Sequence, residues 1–147
     1  MRSSAVETYG AVHRRSGSAD PVAAAWFGGR MDTMTLGRRG EACAKEYLIE
    51  HGWEILALNW RCRHGEIDIV ARDGDTLVVC EVKTRTSTTH GTALEAVSDR
   101  KVTILRRSLA HWLDVHGVSP DGVRIDVVTV WVPRSGGPRV ERIAGVA

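Results

Sequence analysis

The sequence predicts an α/β domain whose elements run α-β-β-β-α-β. Three observations carry that prediction: two stretches of helical apolar spacing, two alternating runs joined by a tight turn signal, and a valine-rich alternating run near the C-terminal end. The first helix begins at Thr35, with Leu36, Cys43 and Tyr47 on one side and Gly37, Glu41, Ala44 and Leu48 along an adjacent stripe, and Gly52 ends it. Trp53 to Trp60 is the first strand. The second helix spans Ala93 to His116, where Leu94, Val97, Ile104, Leu105, Leu109 and Trp112 form the buried stripe and Lys101 lies between Val97 and Ile104. The last strand is Val123 to Val132, with Val123, Ile125 and Val127 alternating with Arg124, Asp126 and Val128.

Between these lies a hairpin that carries charge on otherwise apolar strands. In Gly65 to Ala71 the side chains of Ile67, Ile69 and Ala71 share one face, and those of Glu66, Asp68 and Val70 the other. Beyond Arg72-Asp73-Gly74-Asp75, Leu77, Val79, Glu81 and Lys83 point one way and Val78, Cys80 and Val82 the other. With Asp73-Gly74 as a two-residue turn, Asp68 pairs with Val79 and Glu66 with Glu81. Asp68, Glu81 and Lys83 then share a face. A four-residue loop preserves that grouping, whereas a three-residue loop dissolves it.

Two carboxylates and an ammonium taken out of water need compensation. Oxygen ligands from Asp68 and Glu81, with a backbone carbonyl, suit Mg²⁺ or Mn²⁺. Lys83 would then stabilise charge developing on a phosphoryl oxygen, or orient or deprotonate an attacking water. The plainer alternative is a solvated sheet face on which Asp68 and Glu81 pair with Lys83 and a nearby arginine.

Asp68, a gap of 12 residues and then Glu81-Val82-Lys83 resemble the signature of the PD-(D/E)XK nuclease superfamily, with Ile67 at the proline position. Gly40-Glu41, Ala44, Tyr47-Leu48, Gly52, Asn59, Arg61, Gly65 to Ala71 and Val79 to Arg85 resemble the YraN family of small bacterial proteins, across about residues 34 to 132. The resemblance implies a restriction-endonuclease-like core, a central mixed sheet flanked by helices, similar to archaeal-type Holliday junction resolvases. It implies catalytic residues Glu41, Asp68, Glu81 and Lys83, and a metal held by Asp68, Glu81 and the Val82 carbonyl. Glu41 matches the first-helix glutamate that reaches toward the metal in the resolvase-like nucleases; its alternative is pairing with Arg38 or Lys45 at helical spacing. The implied activity is metal-dependent hydrolysis of phosphodiester bonds in DNA, branched or junction DNA included. The competing class is a nucleic-acid-binding accessory protein with weak or no catalysis on the same fold; a third is a protein-interaction module. Retention of Asp68, Glu81 and Lys83 favours the enzyme. A homodimer is expected by analogy alone, since symmetric junction cutting requires two sites.

Composition permits this without announcing it. Lys plus Arg exceeds Asp plus Glu by 20 to 18, so no strong general attraction to nucleic acid follows. Local basic clusters supply candidates for phosphate contact at Arg38, Arg61, Arg85 and Lys101, although such clusters also make ordinary solvated faces. Cys43, Cys62 and Cys80 are widely spaced, which points to a reduced cytoplasmic chain with Cys43 and Cys80 in the core. Cys62-Arg63-His64 lacks a second pair at zinc-like spacing. The polar tract Thr84 to Gly91 is a loop beside the site, where Arg85 and hydroxyls meet phosphates or simply lead to the second helix; its His90 reads as solvated.

Residues 1–33 read as a flexible extension, rich in Ser, Gly, Ala and Arg, with Met31 and Met34 as alternative starts. Their apolar run, Val22 to Phe27, is too short to span a membrane. Residues 34–133 form the nuclease-like domain, and 134–147 a C-terminal tail.

Overall fold

A computed structural model describes residues 6–9, 33–86, 97–133 and 136–147. The elements are β1 (Val6–Tyr9), α1 (Thr33–Glu50), β2 (Glu54–Cys62), β3 (Gly65–Asp73), β4 (Thr76–Arg85), α2 (Asp99–His116), β5 (Gly122–Trp131) and β6 (Arg139–Ile143). One six-stranded sheet has the order β1-β6-β5-β4-β3-β2, parallel between β4 and β5 and antiparallel elsewhere. The expected α-β-β-β-α-β core is present, an α/β fold consistent with a restriction-endonuclease-like core. One strand is added at each end.

Each helix ends where its sequence permits. Gly52 (φ +83°) and Gly117 (φ +61°) take the left-handed conformation that glycine tolerates. The following N–H groups of Trp53 and Val118 bond back to Leu48 and Leu113, closing both helix ends. At the start of α2 the Ser98 side chain accepts the Lys101 N–H. That cap places the start at Asp99; the expected start at Ala93, with Leu94, lies outside the described residues.

The helices cover opposite faces. Under α1, Cys43, Ala44, Tyr47 and Leu48 pack with Ile69, Ala71, Val78, Cys80, Val128 and Val130. Under α2, Leu105, Leu109 and Trp112 pack with Ile67, Val70, Leu77, Val79 and Ile125. Cys43 and Cys80 are buried as expected.

The β3–β4 register departs from expectation by two residues. Asp73 pairs with Thr76 and Ile69 with Cys80, so the turn is Gly74-Asp75 rather than Asp73-Gly74. Gly74 has φ +60°, the requirement of a two-residue hairpin turn with glycine first, while Asp73 is held in the strand by Arg124 at 3.3 Å. A shift of two preserves the faces, so Asp68 lies level with Glu81 instead of Val79. Ile67 is a second departure: it joins Val70 under α2, not Ile69 and Ala71 under α1. The irregularity sits between them. The β2–β3 pairing skips Asn59 and Asp68 between Leu58↔Ile69 and Trp60↔Ile67, and Asn59 has φ +49°. The change of face on β3 thus coincides with the left-handed Asn59 and the unpaired Asp68.

The segment expected as a tail contributes β6, paired with β5; Val140 and Ile143 are buried on opposite sides of the sheet. Of the expected N-terminal extension, residues 6–9 form β1 against β6. Strand β6 is also tied by charge. The buried Asp126 accepts from Arg124 Nε (2.8 Å) and Nη2 (3.1 Å), from Arg142 Nη1 (3.0 Å) and from the Gly145 N–H (2.9 Å). Trp53 lies under both guanidiniums, 5.4 and 5.0 Å away. Asp126→Asn removes the buried anion that Arg124 and Arg142 share and is expected to lower stability by about 3 kcal/mol. Urea denaturation measures it, and a change within ~0.5 kcal/mol would show the cluster to be incidental.

Candidate active site

Strand β3 leaves β4 at Asp68. Their ladder ends at Ile69↔Cys80, and beyond it the Val82 N–H donates to Asp68 Oδ2 at 2.8 Å. A side-chain carboxylate thus takes the place of the partner strand's carbonyl. Asp68 is largely buried, and its carboxyl is pushed up to about 7. Burial is the main cause, followed by the Glu81 carboxylate; Glu41 adds to the rise, while the Val82 N–H and Lys101 oppose it.

Glu81, on β4, is buried, with 4% of its surface exposed. Its Oε1 meets two ammonium groups, Lys83 Nζ at 3.2 Å and Lys101 Nζ at 3.5 Å. The period-two geometry of β4 puts Glu81 and Lys83 on the α2 side, and the first turn of α2 brings Lys101 over them. Among the described residues Glu81 Oε2 is buried without a hydrogen-bond partner. So is the hydroxyl of Thr129, whose residue pairs with Lys83 across the β4–β5 ladder.

The other wall is α1. Gly40 approaches β4 so closely that a Cβ there would fall 1.8 Å from Thr84 Oγ1. This contact sets how near Glu41 stands to the sheet, and Glu41 acts electrostatically on Asp68. Residues from β3, β4, α1 and α2 therefore meet at one splayed point.

Comparison with known proteins places the chain in a family. The model of the uncharacterised protein family UPF0102 matches residues 40–130, which include all four of these acidic and lysine positions from Glu41 to Lys83 together with Lys101. The chain is 56% identical over 113 residues to a UPF0102 protein of Kineococcus radiotolerans, covering 76% of this chain and 93% of the relative. It is 54% identical over 113 residues to one from Streptomyces griseus (76% and 95%) and 49% identical over 113 residues to one from Nocardioides (77% and 91%). The chain belongs to the UPF0102 family, the YraN family of the sequence resemblance.

In this UPF0102 chain the expected site residues divide into two groups. Asp68, Glu81, Lys83 and Lys101 converge, with Glu41 close enough to act on Asp68. Arg61 lies at the surface, 3.5 Å from Glu66, and Arg38 is exposed on α1. Arg85 continues the Glu81–Lys83 face of β4, and its carbonyl accepts the Val132 N–H at 2.8 Å. The rest of the polar tract, with His90, lies outside the described residues. Three features escaped the sequence reading: the Lys101–Glu81 pair, the Gly40–Thr84 contact and the Thr129 hydroxyl. A cue existed for the second, since glycine beside glutamate inside a helix is costly unless something needs the space.

Among the described residues no three His, Cys, Asp or Glu side chains converge as a ready-made metal cage, at Cys62-Arg63-His64 or elsewhere. The Asp68 and Glu81 carboxylates lie at the splayed point, and the Val82 carbonyl is the third donor expected from the resemblance. A small hard cation that keeps several waters fits such a set, and the unpartnered Oε2 of Glu81 is an oxygen ready for it.

Two outcomes follow from this geometry. Gly40→Ala should cost about 1–3 kcal/mol by overpacking against β4, and Thr84→Ala should restore part of it; thermal unfolding of the single and double variants measures the coupling. Because the Asp68 carboxyl titrates near 7 when folded, against 3.8 ordinarily, the folded chain holds a proton that the unfolded chain has lost. This group's contribution therefore lowers stability as pH rises through that window and is constant above it. Asp68→Asn keeps an acceptor for Val82 and removes the penalty, so its gain over wild type should grow by roughly 1–3 kcal/mol between about pH 4.5 and pH 8. A gap independent of pH would contradict the assignment.

Proposed function

We propose that this UPF0102 protein is a Mg²⁺- or Mn²⁺-dependent endonuclease that hydrolyses phosphodiester bonds in DNA. The observation that supports it most is the concentration of carboxylates and half-buried ammonium groups where β3 parts from β4, with one buried carboxylate oxygen left unpartnered among the described residues. A purely structural ion pair satisfies its atoms, as Asp126 does. Asp68, Glu81 and the Val82 carbonyl would hold the metal. When bound, a divalent cation polarises the phosphodiester and lowers the pKa of the attacking water.

The side chains supply the rest. Lys83, restrained by Glu81, presents an ammonium to the phosphoryl oxygen on which charge develops, and it orients the attacking water. Glu41, placed by the Gly40–Thr84 contact, supports the water shell of the metal. Water oxygen bonds to phosphorus as one ester P–O bond breaks, and the departing oxygen takes a proton. The exposed Arg38 and Arg61, with Arg85 further along β4, contact phosphates flanking the cut. Branched DNA is the preferred substrate in this reading, with two copies of the chain cutting paired strands.

The test is cleavage of labelled four-way junction, flap, single-stranded and duplex DNA in Mg²⁺ or Mn²⁺, with circular dichroism showing that each variant is folded. Cutting by the wild type is expected to fall at least about a hundredfold in both Asp68→Ala and Lys83→Ala. Binding without cutting in every metal would instead identify a nucleic-acid-binding accessory protein, and neither binding nor cutting would refute both.

A further inference from the structure

We propose that Lys101 is the resident counter-cation of Glu81, which a divalent metal must displace, so that metal and phosphodiester bind this site cooperatively. The proposal rests on the metal-dependent reading above and specifies how that site is regulated.

The first argument is where the lysine stands. Ser98 caps α2 and accepts the Lys101 N–H, so Lys101 occupies the third helical position. At that place helix N-termini favour an acidic side chain, which answers the partial positive charge of the helix end and completes a capping box. A lysine there is disfavoured by the helix itself. Its compensation is tertiary: Lys101 Nζ lies 3.5 Å from Glu81 Oε1, with about one third of its side chain exposed and only 5% of Glu81's.

The second argument is charge. Lys83 already stands 3.2 Å from the same oxygen, so one buried carboxylate oxygen is served by two cations while the other has no partner among the described residues. An arrangement built only to neutralise Glu81 would spread its donors over both oxygens, as the two arginines and the Gly145 N–H do around Asp126. A carboxylate that ligates a metal is ionised, so in the loaded site Asp68, Glu81 and Glu41 bring three negative charges and the two lysines two positive ones. With the divalent cation added, the sum is one positive, which a poorly solvated site tolerates badly. The single negative charge of a phosphodiester restores neutrality. Without Lys101 the metal alone would neutralise the site, and the coupling to substrate would be lost. Displaced from Glu81, the long flexible ammonium is also placed to meet the incoming phosphate, having left α2 with only its stem fixed.

Calorimetric titration of Mn²⁺ into the DNA-free protein tests this, with wild type, Lys101→Met and Lys101→Gln compared. Both variants should bind Mn²⁺ about tenfold more tightly than wild type. A phosphorothioate oligonucleotide that resists cleavage should tighten Mn²⁺ binding to wild type and do so much less in the variants. Equal or weaker Mn²⁺ affinity in the variants, or an oligonucleotide effect of equal size, overturns the proposal while leaving the metal site standing. Absence of Mn²⁺ binding in all three chains, each shown to be folded, overturns the metal reading and the proposal together. Thermal unfolding separates a merely structural lysine: both variants should lose stability in EDTA and recover most of it in Mn²⁺, whereas an equal loss in both conditions speaks against displacement.

Discussion

The site depends on one hydrogen bond, from the Val82 N–H to the Asp68 carboxylate. If β3 stayed zipped to β4 past Ile69, the Val82 N–H would find a backbone carbonyl and no gap would open. Because a side chain takes that donor, the two strands part without leaving a buried N–H unsatisfied, a defect that costs about 1–3 kcal/mol. The same step breaks the pairing on the other side of β3, where Asn59 turns left-handed opposite Asp68. The result is a notch in the sheet, reached by α1 from one face and α2 from the other. Its floor is a carboxyl whose pKa is raised by burial and by Glu81.

Two buried carboxylates in this molecule show what separates scaffold from site. Asp126 is held at both oxygens, by Arg124, Arg142 and the Gly145 N–H, and its network binds β6 to the rest of the sheet. Glu81 is held at one oxygen by two lysines and, among the described residues, not at all at the other. Both are desolvated, so burial alone does not distinguish them. Satisfaction does. A carboxylate surrounded by a fork of guanidinium donors is locked, since arginine is rigid and permanently charged. Lysine holds through a single mobile point charge, and a group held this way can exchange partners. Arginine secures the fold and lysine serves the notch, and the division follows from those chemistries.

How much of this the sequence disclosed depends on the range of the interaction concerned. The faces of β4 were legible because any even turn preserves them, so mistaking Gly74-Asp75 for Asp73-Gly74 did not move Asp68 from Glu81 and Lys83. Ile67 was not legible, since nothing in Leu58-Asn59-Trp60 says that asparagine will take a positive φ inside a strand. Strand β6 was hidden for another reason: Val140 and Ile143 are buried on opposite sides, so Arg139 to Ile143 shows no alternation and reads as a polar tail. Lys101 could be placed on the second helix from its spacing, but its partner could not be named. That contact joins residues 20 apart through the packing of α2 on the sheet.

Local chemistry matters more here than overall charge. A formal net charge of +2 gives this chain little general attraction for a polyanion, and two of its best-placed cations are engaged with Glu81. For the function proposed, selectivity then has to arise at the notch, where charge balance is reached only with metal and phosphate both present. On that proposal, a site so balanced would spend little time loaded when no nucleic acid is near, which would protect the chain's surroundings from an idle nuclease. Electrostatic steering would add on-rate but not discrimination. In the proposed reading the weak net charge and the doubly paired Glu81 oxygen belong together, since affinity would be withheld until the reacting group itself completes the charge count.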